Sequence, residues 1–476
     1  MPRRLQIIVL AFLLLSIVAN AGLLWLYART GSEIQQLRQE IDRQARELEE
    51  LPPLREERAQ LEQRVQELED EKQRLEEEIA RLQGELKPLQ NNADLLEELD
   101  QLEAAARAVR RLIPPEPVER AFVAREDLRT YLVEQFARDY PQDQADAEAQ
   151  LLTLLGLLPA GTDLYSLMLD LYTEQVAGFY DLEAGQMYLV SGGELGPLEK
   201  ITFVHEYVHA IQDQIFDLGE QIEAVEEDND RSLALTALAE GDATLAMAQF
   251  AADYPDIVSA SDLLSQSLAI ETPELDAAPP IVQQMLLFPY EAGLQFAMQA
   301  YLKIGWAGVD ALWADPPQST EQLLHPDRYP DDAPLLVNLP RLEGTLGPGW
   351  RLLGEDTLGE FLLRQHLALF LDEEGVDDAA TGWGGDHYLL YSHAERQVQC
   401  LVLVVRWDDR DEADEFAELY EVFADARYGA AGDGNARDGM WWSNSTGLYL
   451  EQTGDEIWLI WAPNRDTAES VARELR

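Results

Sequence analysis

The sequence predicts a mainly helical protein in four parts: an apolar N-terminal helix, a coiled-coil stalk, a helical domain with one short edge strand, and a small α+β domain at the C-terminal end. Three observations carry this expectation. Leu5 to Tyr27 contains no charged residue, apolar residues recur every seven positions from Leu61 to Leu89, and after about Leu335 the helical texture gives way to strand, helix, strand.

The apolar run follows "MPRR" and, at about 1.5 Å of rise per residue, is long enough to span a hydrocarbon layer of about 30 Å. Trp25 and Tyr27 stand where an interfacial aromatic belt would lie. Ala19-Asn20-Ala21 has the small-x-small form of a signal-peptidase site, but apolar sequence continues beyond it. An uncleaved transmembrane signal-anchor over residues 1–28 is therefore expected, giving a single-pass membrane protein with the bulk of the chain extracytoplasmic.

Residues 29–113 read as the stalk. Leu61, Leu68, Leu75, Leu82 and Leu89 fall at heptad d positions, and Val65, Lys72, Ile79 and Leu86 at a. An earlier segment, Ile34, Leu37, Ile41, Leu48 and Leu51, has the same period in a shifted frame, and Pro52-Pro53 separates the two. A seam of this kind predicts self-association into a homo-oligomer. The proline-rich "IPPEPVE" ends it, which sets the first boundary of a helical domain at 119–335.

Within that domain "GQMYLVSGG" reads as a strand closed by glycines, followed by the helix "ITFVHEYVHAIQDQIF" and a second helix from Ser232 to about Ala251. The last part, 340–476, reads as one antiparallel sheet with helices: "HYLLYS", "QCLVLVVRW", "GLYLEQ" and "EIWLIWA" are strands, and "DRDEADEFAELYEVFADARY" and "RDTAESVARELR" are helices.

A formal charge of -55 argues against nucleic acid as a partner, because phosphate backbones would be repelled. The single cysteine, Cys400, allows neither an intrachain disulfide nor a cysteine-based metal cage. Chemistry therefore has to come from other residues, and His205-Glu206-x-x-His209 is where it concentrates. Histidines four apart on a helix share a face and can direct two imidazole nitrogens at one metal ion. Glu206 sits beside the first of them, where a general base is needed.

A catalytic zinc requires a third protein ligand. Glu240 in "ALAEGDATLAM" is the best candidate, an acid in an otherwise apolar helix, with Asp242 as the nearby alternative or as a partner orienting a histidine. Tyr290, His325 and Tyr329 are candidates for the donor that stabilises an oxyanion, with His387 a weaker one.

"HEYVHAIQD" resembles the active-site helix of thermolysin-type zinc peptidases, including the alanine after the second histidine and the aspartate four residues beyond it, here Ala210 and Asp213. "AEGDA" is similar to the Glu-Gly-x-Ala of the aminopeptidase branch of the same gluzincin clan, a resemblance that implies Glu240 as third ligand. Over roughly residues 120 to 400 the chain also resembles uncharacterised bacterial proteins predicted to be metallopeptidases, through "GFYD", "HExxHAxQDQ", "EGDA", "STEQ-x-x-HP" and "GWGGD" blocks. The interval between His209 and Glu240 exceeds that of either gluzincin branch, and no aspartate lies four residues after Glu240.

The resemblance implies a zincin-like domain, a bound Zn2+ and a peptide or protein substrate, held against "GQMYLVSGG" as the sheet edge. The expectation is thus a membrane-anchored zinc metallopeptidase; the rival is a coiled-coil scaffold whose zinc is structural or whose catalysis is lost.

Overall fold

The structure is a computed structural model that describes residues 29–45, 54–173, 178–190, 195–259, 261, 273–429, 432–443 and 446–476. The chain divides into two compact units, Met1–Asp100 and Gln101–Arg476.

In the first unit a helix over 29–45 precedes the helix that begins at Leu54 and runs to Arg110. Arg38 pairs with Glu69, and Ile34, Val65 and Leu68 are buried, so part of the heptad seam is covered within the chain itself. Lys72, at its a position, reaches Glu76 on its own helix across 3.6 Å. Among the described residues no helix is long and apolar enough to cross a membrane. The expectation of a single-pass membrane protein is corrected accordingly; the stretch Leu5 to Tyr27 on which it rested lies outside the described residues, as do Pro52-Pro53.

The second unit holds two sheets. The smaller has three strands, β1 (Glu119–Val123), β2 (Gly178–Asp181) and β3 (Gln186–Val190), in the order β1-β3-β2. β3 pairs parallel with β1 and antiparallel with β2, with Phe179 opposite Tyr188. Here the sequence expectation is corrected: "QMYLV" is the centre of this sheet and not its edge, because the turn at Asp181 to Gly185 folds "GFYD" back on one side and Glu119–Val123 takes the other. β2 is the strand that lies against the His-bearing helix, Pro197–Phe216, through the Tyr180 backbone.

That helix starts at Gly196 with Pro197 in its first turn, where a missing N–H costs nothing. It ends where Asp217 adopts a left-handed conformation. The Glu240-bearing helix, Asn229–Asp253, is capped by the Asp228 side chain, which accepts from the Arg231 N–H. A third helix, Pro280–Ile304, carries Tyr290 and packs against the second. At Gly241 and Gly293 the two backbones touch, and a Cβ on either would overlap the other helix.

The C-terminal expectation of a small domain is also corrected. Residues 350–462 build a seven-stranded antiparallel sheet in the order β4-β5-β6-β10-β9-β8-β7. Its strands are β4 (Trp350–Asp356), β5 (Trp383–His393), β6 (Val398–Trp407), β7 (Asp433–Asn435), β8 (Gly439–Trp442), β9 (Gly447–Thr453) and β10 (Glu456–Ala462).

Side chains alternate faces along a strand, and here both faces are covered. Leu401, Leu403, Leu459 and Trp461 share a core with Phe416 and Tyr420 of the helix Arg410–Tyr428. Val402, Val404, Trp458 and Ile460 pack with Ala468 and Val471 of the helix Arg465–Leu475. This is why the strands read as unbroken apolar runs. The first of these cores also takes in Leu152, Ile281 and Val282, so the stretches 119–335 and 340–476 share a hydrophobic interior.

Candidate metal centre

The His-bearing helix and the Glu240-bearing helix bring three side chains to one point. His205 Nε2 stands 3.0 Å from Glu240 Oε2, His209 Nε2 is 3.1 Å from His205 Nε2, and His209 Nε2 is 3.6 Å from Glu240 Oε2. Ligands bound tetrahedrally to zinc at 2.0–2.1 Å are about 3.3 Å apart, so the three atoms form a triangle the size of one tetrahedral face. The donor set, two imidazoles and one carboxylate, is also one that zinc accepts.

Burial opposes charge on His209, yet the Glu240 carboxylate beside it raises its pKa to about 9. Glu240 is likewise disfavoured by burial but held well below the usual carboxylate range by His209 and His205. In the absence of metal the cluster is a buried ion pair, from which a cation would displace protons.

Gln212 orients the cluster. Its Nε2 donates to the Ala239 carbonyl at 2.9 Å, which leaves Oε1 facing His209 Nδ1 at 2.8 Å. His209 therefore carries a proton on Nδ1, and when a cation displaces the other proton of the ion pair, Nε2 is the nitrogen left with a lone pair. Sequence reasoning missed Gln212, although its place three residues after His209 on one helix face was a usable signal.

Asp242, the alternative ligand or orienting residue, does neither. It is fully buried and bound by Arg110 through Nε at 2.6 Å and Nη2 at 3.1 Å, and by Trp313 Nε1 at 3.0 Å. Arg110 also reaches Asp310 at 2.6 Å and lies over the Trp306 ring.

Glu206 points toward β2, and its Oε2 accepts the Tyr180 backbone N–H at 3.0 Å. The Tyr180 hydroxyl in turn donates to Asp213 at 2.8 Å, so "GFYD" braces the motif helix at two points. Tyr290 stacks on the His205 ring, with centroids 6.1 Å apart. Burial, and the charges of Glu240 and Glu206, push its phenol above the ordinary range.

The other candidate donors are engaged by other partners. His325 Nε2 is 3.0 Å from the buried Glu360 carboxylate, the Tyr329 hydroxyl donates to the Asp315 carbonyl, and His387 sits on β5 opposite Val404.

Residues 350–472 match a domain of unknown function, DUF8575, which covers the C-terminal sheet and none of the cluster. No curated protein matches the chain. A solved structure from Chloroflexus aurantiacus, described as a "putative hydrolase with a novel fold", aligns over 49% of this chain and 87% of its own, with 20% identity and a TM-score of 0.34. A likeness that low carries no argument about fold or activity. The zincin-like fold class expected from the motif is also corrected, because the described residues build a three-stranded sheet centred on "QMYLV" and a seven-stranded antiparallel sheet that shares a core with the helices.

Proposed function

We propose that the chain is a zinc-dependent hydrolase acting on peptide bonds, with His205, His209 and Glu240 as the metal ligands. The observation that carries the reading is the triangle of His205 Nε2, His209 Nε2 and Glu240 Oε2, with sides of 3.0, 3.1 and 3.6 Å. Zinc held there would supply Lewis acidity toward a substrate carbonyl.

The rest belongs to the protein's own residues. Glu206, fixed by the Tyr180 N–H, takes a proton from the attacking water and returns it to the leaving amine. Tyr290 stands over the cluster with a phenol that stays protonated, available to donate to the oxygen that gains charge. Gln212 keeps His209 in the ligating tautomer. The three-residue donor set supports metal-dependent hydrolysis in general; the choice of a peptide bond rests on the resemblance of "HEYVHAIQD".

The test is a metal analysis and a peptide-library assay on wild type, Glu206→Gln and Glu240→Ala. Expected are near-stoichiometric zinc and chelator-sensitive cleavage in wild type, zinc without cleavage in Glu206→Gln, and loss of both in Glu240→Ala. Full cleavage by Glu206→Gln would sink the mechanism; zinc without cleavage in wild type would leave a structural metal on a scaffold.

A further inference from the structure

A second cluster lies in the "STEQLLHPDRYPDD" segment, which the proposed chemistry does not use. Glu321 comes from the short helix Thr320–Leu324, Asp332 from the irregular stretch after it, and Asp408 from the position just past β6. One carboxylate oxygen from each lies within 4.8 Å of the others.

Charge does not balance here. The cation present is Arg328, whose Nη1 is 3.4 Å from Glu321, 3.3 Å from Asp332 and 3.4 Å from Asp408. These separations exceed the roughly 2.7–2.9 Å of a good charge-assisted hydrogen bond. With the Glu321 carboxyl holding its proton at neutral pH, two aspartates still face one guanidinium among the described residues, and Glu321 has no cation of its own. The neighbouring Glu360 brings no relief, since Arg364 and His325 already pair with it and it repels Glu321.

The independent sign of a missing partner is Glu321 itself. It is 1% exposed; its Oε1 accepts from Arg328, and its Oε2 is buried without a hydrogen-bond partner among the described residues. A buried, unpaired carboxylate oxygen is costly, and native structures satisfy such atoms with a proton, a water or an ion. Burial first, and then the charges of Asp332, Glu360 and Asp408, raise the Glu321 pKa to about 9.

We infer that Glu321, Asp332 and Asp408 form a binding site for a hard divalent cation, Ca2+. An all-carboxylate set excludes soft metals, and three carboxylates offer up to six oxygens, which Ca2+ accepts in irregular geometry at about 2.3–2.6 Å while Mg2+ demands a near-ideal octahedron. Oxygens on opposite sides of a Ca2+ ion stand about 4.6–5.2 Å apart, so three groups within 4.8 Å of one another can share one ion. Arg328, with a side chain 28% exposed, is the resident counter-ion and swings to solvent when Ca2+ enters.

The ion would tie the segment 325–335 to the end of β6. Asp408 is already joined there to the "GWGG" turn through its N–H to the Gly382 carbonyl at 2.9 Å, and Leu335 through its N–H to Gly384. The two sequence blocks "STEQ-x-x-HP" and "GWGGD" would then meet at a common staple.

The test is calorimetric titration of the full chain with CaCl2 after chelator dialysis and reloading with zinc, supported by Tb3+ luminescence. Expected is one saturable Ca2+ site whose occupancy raises the melting temperature. Asp408→Asn and Asp332→Asn should each weaken it by about tenfold or more, as loss of a charged ligand would. Asp408 is partly exposed, so its variant should fold; circular dichroism checks this. Arg328→Met should tighten binding by removing the competing charge, and His205→Ala should leave it unchanged. No saturable binding by wild type, binding indifferent to both aspartate variants, binding weakened by Arg328→Met, or binding lost in His205→Ala would each overturn the assignment.

Discussion

Gly241 and Gly293 meet backbone to backbone, so closely that a methyl group on Gly293 would overlap the Ala237 carbonyl of the facing helix. Glu240 is the residue immediately before this contact, so the spacing of the two helices also sets the reach of the proposed third metal ligand. Gly293→Ala should destabilise the fold by about 1–3 kcal/mol or more, the usual result of overpacking, and should weaken zinc binding with it. Denaturant melts and competition with a chromophoric chelator measure the two effects; a variant with wild-type values for both would show that the helices have room to separate.

Gln212→Ala removes the group that fixes the His209 tautomer. Zinc affinity should drop by about 10- to 100-fold, the range for lost outer-shell partners of a metal-bound histidine. Gln212→Glu keeps an acceptor for Nδ1 but loses the donor to Ala239, and an intermediate affinity is expected. Chelator competition on the three proteins orders them.

Tyr290→Phe deletes one hydroxyl and leaves the ring on His205. If the phenol donates to a developing oxyanion, kcat should fall by about 10²- to 10³-fold while bound zinc stays at the wild-type level. Unchanged kcat would reduce Tyr290 to a packing role.

The melting temperature should decline as pH rises from about 5 to 8.5. Burial raises Asp230 to about 8, Asp386 to about 7 and Asp356 to about 6, all above ordinary carboxylates near 4. Between the unfolded and folded values the native state holds more protons than the unfolded chain, so the stability present below about pH 4 is lost as pH climbs through the folded values. Differential scanning calorimetry across that window checks the slope, and Asp230→Asn should flatten it.

Much of the candidate centre was readable because its geometry is local. Four-residue spacing puts His205 and His209 on one helix face, and Glu240 stood out as an acid in an apolar helix. Non-local pairing was not readable. That Gln186–Val190 is a central strand depends on Glu119–Val123, 67 positions earlier, whose pattern carries no sign of its partner. The same holds for Asp242, whose partner Arg110 lies at the end of the long helix.

The extent of the sheet was hidden for a different reason. β7 and β8 are short and glycine-rich, and β4 is bent by a register shift between Leu352 and Gly354, so their alternation is too brief to register. The position of His325 followed neither rule: its spacing after the motif helices suggested a site residue, and its contact with Glu360 is decided by the fold of the C-terminal half.

Arg110 bears on how this protein should be cut for the bench. The prolines at 114 and 115 invite a fragment that begins at Glu119, yet such a fragment would discard Arg110 and strand Asp242 as a naked charge in a closed interior, two positions from Glu240. Leaving one member of a buried pair alone typically costs about 3–5 kcal/mol. A fragment intended for assays should start upstream of Gln101, so that it carries the last turns of the long helix.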